Sequence, residues 1–177
     1  PNGDPVAYRV IQWSTGNVGA FALRAIISHP ELELCGLWVH SEKKAGRDAG
    51  ELCGQGPVGV VATLDADALL ASDADCVVYT APADLRLMEA VDDICRILRS
   101  GKNVVSSSVV SLVHPGNLGP EIQLRIEEAC REGDASFFTS GIDPGFANDL
   151  LPLTLSGLSE RWRQIRIQEV VNYATYD

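Results

Sequence analysis

The sequence lacks any apolar run approaching the roughly 18 residues that a membrane helix requires. Its opening, PNGDPVAYRV, has no basic stretch leading into an apolar one. A secretory leader is therefore not expected, and a cytoplasmic location is. Positive charge is scarce: 14 Lys and Arg stand against 24 Asp and Glu, for a formal net charge of −10. Phosphate backbones are bound by clustered cations, so no nucleic-acid partner is expected, and no membrane partner either. The densest basic spot is EKK at 42–44. The five cysteines include no CxxC pair and are odd in number, so neither a zinc knuckle nor a disulfide framework is expected. They read as structural thiols, and no metal site is expected. Internal repeats and low-complexity segments are missing too.

What remains is an ordinary globular composition, 46% hydrophobic and 21% charged. Short runs rich in β-branched and aromatic residues fall at 8–13, 33–39, 58–62, 75–80, 103–107 and 135–139. Helix-like segments lie at 17–28, 65–71, 84–100 and 120–132. Val18, Phe21, Ala22, Ala25 and Ile26 recur at three- and four-residue steps, as do Leu87, Val91, Ile94 and Leu98. Asp84 is the expected cap of the third of these helices. Near-continuous apolar strands alternating with helices predict an α/β fold. It is a doubly wound parallel sheet covered on both faces, with its ligand crevice at the strand C-terminal ends. After residue 140 the pattern changes. GIDPGFANDLLPLTLSGL reads as a loop and then a helix, with Asp143 as cap, Pro144 at its first position and Pro152 within it. WRQIRIQEVVNYATYD reads as a strand. The division expected is a dinucleotide-binding domain over 1–140 and, over 141–177, the start of a second, α+β domain for substrate and dimerisation.

The first strand–helix junction reads WSTGNVG. A strand turning sharply into a helix brings backbone N–H groups and the positive helix end to a pyrophosphate. Gly16 matches the glycine that lets the phosphate approach, and Gly19 the one that lets helix pack on strand. Ser14 holds the first position, where a small residue can still make the turn. The match is to a dinucleotide fingerprint, against the alternative of a plain glycine turn. At the end of the next strand, His40 and Ser41 are followed by Lys43, Lys44 and Arg47. A hydroxyl and cations suit the 2′-phosphate of NADP, while Glu42 keeps NAD open; a solvated charged loop is the alternative. YTAP at 79–82 ends the fourth strand beside the expected crevice, where small residues would let a nicotinamide ribose pass. A strand that simply ends at proline reads the same way.

Together VIQWSTGNVG, GLWVHSEKKAGRDAGELCG, NVVSSSVVSLVHP and GIDPGFANDLLP resemble the dihydrodipicolinate-reductase-like family. The nearest likeness within it is to the 2,4-diaminopentanoate dehydrogenases and native amine dehydrogenases. The resemblance implies an N-terminal Rossmann domain, a C-terminal α+β domain that shapes the substrate pocket and often the homodimer, and NAD(P)H-linked chemistry at a C–N bond. It places Ser14, Thr15, Gly16, Asn17, Val18 and Gly19 in the pyrophosphate loop and His40, Ser41 and Lys44 at the adenosine ribose. Thr80, Ala81 and Pro82 flank the nicotinamide side, and Asp143 to Gly145 with Asn148 close over it. Tyr173 and Tyr176 border the substrate. One departure stands out. Where amine dehydrogenases carry carboxylates after the fifth strand, this chain has Val109 and Val110. Valine accepts no proton. The polar groups nearby are Ser107, counted with the cofactor contacts, Ser108, Ser111 and His114, the candidate general acid.

Two readings follow. One is the cofactor-binding part of an NAD(P)-dependent oxidoreductase, NADP preferred, that transfers hydride to or from a C=N or C=O carbon of a small molecule. The other is a non-catalytic nucleotide-binding regulatory module, prompted by the two valines. A methyltransferase is a weaker third, since an acidic tip on the second strand would be expected for it. The sequence names no substrate.

Overall fold

The computed structural model describes residues 7–172 and 174. Six strands form one sheet in the order β3-β2-β1-β4-β5-β6: β1 (Tyr8–Trp13), β2 (Leu32–Trp38), β3 (Ala62–Thr63), β4 (Cys76–Tyr79), β5 (Asn103–Ser106) and β6 (Phe137–Thr139). Every neighbouring pair runs parallel. The helices between them are α1 (Asn17–Ser28), α2 (Ala49–Leu52), α3 (Ala66–Leu70), α4 (Leu87–Arg99) and α5 (Pro120–Gly133). This is the doubly wound parallel sheet expected of the sequence, with Rossmann strand order.

The register matters for the site. Thr63, Trp38, Trp13, Tyr79, Ser106 and Thr139 pair in turn across the sheet. All six strands therefore end in one row. Strand order reverses between β1 and β4, which opens a crevice beyond Trp13 and Tyr79. Core residues lie in two clusters. Ile11, Trp13, Val77 and Tyr79 pack with Val91, Ile94 and Leu98 of α4 and with Ile126 and Ala129 of α5. Leu23 of α1 packs with Leu37, Val39, Ala49, Cys53 and Ala62. No helix among the described residues is long and apolar enough to cross a membrane.

Several boundaries differ from the sequence reading, each for a local reason. The third strand shrinks from 58–62 to Ala62–Thr63. The Val58 and Gly59 amides donate to the Asp48 carboxylate, at 3.0 and 2.8 Å, and are lost to a ladder. α4 starts at Leu87, and Asp84 does not cap it. The cap position is Arg86, whose amide donates to the Ala83 carbonyl in a preceding turn. The short α2 and two 3-10 turns, Val110–Val113 and Pro115–Leu118, were not anticipated.

The described residues of Ser140–Asp177 form a second compact unit, separate from Pro1–Thr139. It contains a π-helical turn, Phe146–Leu150, running into α6 (Leu151–Ser156). Gly145, with φ +136°, precedes the turn, so Asp143 is not the cap and Pro144 is not the first helical residue. Pro152 is the second residue of α6 and lies within the helical run, directly after the π-helical turn. No strand forms between residues 161 and 172. A strand is held by ladder bonds to a neighbour, and among the described residues none pairs with this segment.

Candidate functional site

The β1–α1 turn is built from inside outward. Ser14 and Thr15 are buried, and Gly16, Asn17 and Val18 face solvent. Ser14 adopts φ +81°, the left-handed conformation that glycine ordinarily supplies at this turn. Its carbonyl is fixed underneath by Gln12 Nε2 at 2.8 Å, and that amide also donates to Thr80 Oγ1 at 2.8 Å. Gly19 sits against this carbonyl. A Cβ there would lie 2.5 Å from Ser14 O and 2.8 Å from Thr80 Oγ1. Gly16 is the opposite case: a Cβ there meets nothing within 4 Å, and its φ is an ordinary −68°. Among the described residues, nothing requires a glycine at 16. α1 has no side-chain cap and no acidic residue in its first turn. Its leading N–H groups and positive end are left for an anion.

Beyond β2, His40 and Lys43 are exposed and Ser41 is half-buried. Lys44 turns back toward β1. Its ammonium donates to Thr15 O at 2.8 Å and to Thr15 Oγ1 at 3.0 Å, back in the phosphate turn. Among the described residues Lys43 and Arg47 form no ion pair. Asp48, in the same motif, anchors the following arm. Hydrogen bonds from the Val58, Gly59 and Gly50 amides hold its carboxyl below the usual range, Val58 contributing most.

At the end of β4 the Thr80 hydroxyl is committed inward, donating to Trp13 O at 3.0 Å. It acts as a tie between β4 and the turn. Ala81 is buried and Pro82 exposed. After β5, Ser107 and Ser108 are half-buried, and Ser108 Oγ donates to Tyr79 O at 3.4 Å. Val109 is buried in the core beside Leu112. Val110 is exposed at the start of its 3-10 turn. His114 is exposed and its ring makes no hydrogen bond among the described residues. Ser14, Thr15, Lys44 and Thr80 are thus tied into one cluster with Gln12, Gly19 packs against it, and His114 is not part of it. Asn148 lies half-buried in the π-helical turn of the second unit, where Glu169 has its pKa raised by hydrogen bonding with Asp143. Tyr173 and Tyr176 lie outside the described residues.

Sequence reasoning missed Gln12, the buried amide that ties the turn to β4. A polar residue inside the apolar run YRVIQW was the available signal. Burial raises the thiol pKa of Cys35, Cys76, Cys95 and Cys130, which disfavours the reactive thiolate. Among the described residues, no group of three His, Cys, Asp or Glu is placed to hold a metal.

Residues 10–108 match the family described as dihydrodipicolinate reductase, N-terminus. The chain is 48% identical over 168 residues to an amine dehydrogenase of Streptomyces virginiae, a match covering 94% of this chain and 47% of that one. It therefore spans about half the length of that curated relative. Among solved structures, an amine dehydrogenase from Mycobacterium smegmatis superposes with a TM-score of 0.73 at 22% identity, over 90% of this chain and 46% of that one. A 3-ketoreductase from Actinomadura kijaniata, solved with NADP, gives a TM-score of 0.60 at 21% identity, over 86% of this chain and 44% of that one. These two superpositions speak for the fold alone.

Proposed function

The chain belongs to the dihydrodipicolinate reductase family through its N-terminal region, and from that premise we propose that it is the cofactor-binding part of an NAD(P)-dependent oxidoreductase. The observation that carries this reading is the contrast between two glycines. Gly19 is required by the protein's own packing, whereas Gly16 is required by nothing among the described residues and is open to solvent. A dinucleotide pyrophosphate is what needs that space, together with the uncapped start of α1. Gly16, Asn17 and Val18 offer the amides, while Ser14, Thr15 and Gly19 shape the turn.

The nicotinamide, when bound, supplies the hydride chemistry, here at a C=N or C=O carbon of a small substrate. The chain's own part is to hold and orient the cofactor. His40, Ser41 and Lys43 stand at the adenosine ribose, and the exposed cations there support NADP over NAD. Ala81, Pro82 and Ser107 line the nicotinamide side. Asn148 and the second unit begin a domain that completes the substrate pocket and a homodimer, with a boundary near residue 140. Tyr173 and Tyr176 belong to that domain as candidate substrate contacts. The setting is cytoplasmic. The relative named above is about twice as long, so hydride transfer by the 177-residue chain alone is expected to be weak or absent.

One observation favours a second reading, a nucleotide-binding module without catalysis. Val109 is packed in the core, and with Val110 beside it these two positions after β5 carry no carboxylate. His114 is the remaining candidate acid there. Turnover separates the two, followed as NADPH oxidation with imines and with keto acids plus ammonia, and as NADP+ reduction with diamines, on a protein extended to the relative's length. Turnover that falls in His114→Ala supports the oxidoreductase with that acid. Tight NADPH binding with no turnover on any substrate supports the module.

A further inference from the structure

The sequence places Lys44 with the residues that read a 2′-phosphate. The structure ties its ammonium to the phosphate turn, donating to both oxygens of Thr15. The backbone around Lys44 is itself pinned. Its amide and that of Ala45 donate to Ser41 O at 2.9 and 3.2 Å, and Gly46 N donates to Ala62 O at 2.8 Å. Lys44 thus springs from a fixed turn and reaches a buried residue adjoining Gly16. Lys43 and Arg47, one residue before and three after, are exposed and bear no ion pair among the described residues.

We infer that Lys44 is a positioning residue for the pyrophosphate turn and does not discriminate between NAD and NADP; discrimination falls to Ser41 with Lys43 and Arg47. The inference rests on the nucleotide-binding reading above. Two physical effects combine in it. The two hydrogen bonds hold Thr15, and with it the direction of the amides that follow. The ammonium also adds a positive charge beside the start of α1, where the diphosphate charge arrives. Both effects act on the part that NAD and NADP share.

The test is calorimetric titration of the 177-residue chain with NAD+ and with NADP+, in four forms: wild type, Lys44→Met, Lys44→Arg and Lys43→Ala. Lys44→Met is expected to weaken both dinucleotides by the same factor, tenfold or more, leaving their affinity ratio unchanged. Lys44→Arg, which keeps the charge and the donors, restores most of that loss. Lys43→Ala lowers NADP+ affinity alone. Affinity measured against salt gives a readout that packing would not move: the slope falls in Lys44→Met and is kept in Lys44→Arg. A selective loss of NADP+ in Lys44→Met would overturn the inference, because Lys44 would then read the 2′-phosphate. Unchanged affinity for both would overturn it as well. So would loss of the folded state in Lys44→Met, seen as a missing unfolding transition, if Lys44→Arg does not recover it. A wild-type chain that binds neither dinucleotide would overturn the nucleotide-binding reading itself.

Discussion

Gly16 and Gly19 stand three residues apart in one turn and answer to different demands, which substitution can separate. At Gly19 an added methyl meets the Ser14 carbonyl at 2.5 Å, and that carbonyl is held by Gln12 and cannot retreat cheaply. Gly19→Ala is expected to cost about 1–3 kcal/mol of stability, in the range of overpacked cores. Denaturant unfolding measures it. At Gly16 the added atoms point into open space, and the residue is the N-cap of α1. Serine is a better N-cap than glycine by a few tenths of a kcal/mol, so Gly16→Ser is expected to leave stability unchanged or slightly raised. The same change is expected to weaken dinucleotide binding at least tenfold, by filling the approach to the pyrophosphate. A stable protein that binds less is the signature of a residue kept for its ligand.

At the scale of elements, the arm between α2 and β3 is held by one carboxylate together with backbone bonds from Ala49 N to Val60 O and from Ala62 N to Arg47 O. Asp48 accepts hydrogen bonds from Gly50, Val58 and Gly59, and its pKa is depressed by them. A depressed folded-state pKa contributes stability above the unfolded carboxyl range, near about 4. That contribution is lost as pH falls through the lower, folded value. The melting temperature of Asp48→Asn should therefore lie below wild type at neutral pH, and the gap should narrow as the pH drops below about 4. A gap that stays constant into acid would show that the charge is not what holds the arm.

This arm also shows what was legible in the sequence. α1 is read at its observed limits because Gly16 and the helical spacing of apolar residues are local signals. Its buried face is not the one that spacing suggests: Val18, Phe21 and Ala25 are exposed, and Gly19, Leu23 and Ile26 are buried. The third strand was read too long, because VGVV looks like a strand while its amides answer to Asp48, ten residues upstream. The candidate site divides in the same way. The turn 14–19 is local and was visible. The ties that give it shape, Gln12 to Thr80 across 68 residues and Lys44 to Thr15 across 29, depend on strand order. No spacing rule reports them.

At the scale of the whole molecule, the strand order puts the phosphate turn at the reversal between β1 and β4, with all six strands ending in one row. That placement makes the turn the natural entry for a ligand in an open α/β sheet. The measurement that tests this most directly is an amide NMR titration of the isotopically labelled 177-residue chain with NADP+ and with NAD+. The expected result is saturable shifts largest at the Gly16, Asn17 and Val18 amides, with smaller ones at Ser41 that appear for NADP+ above all. Saturable binding that leaves residues 14–19 unmoved, or no binding of either dinucleotide at millimolar concentration, would contradict it.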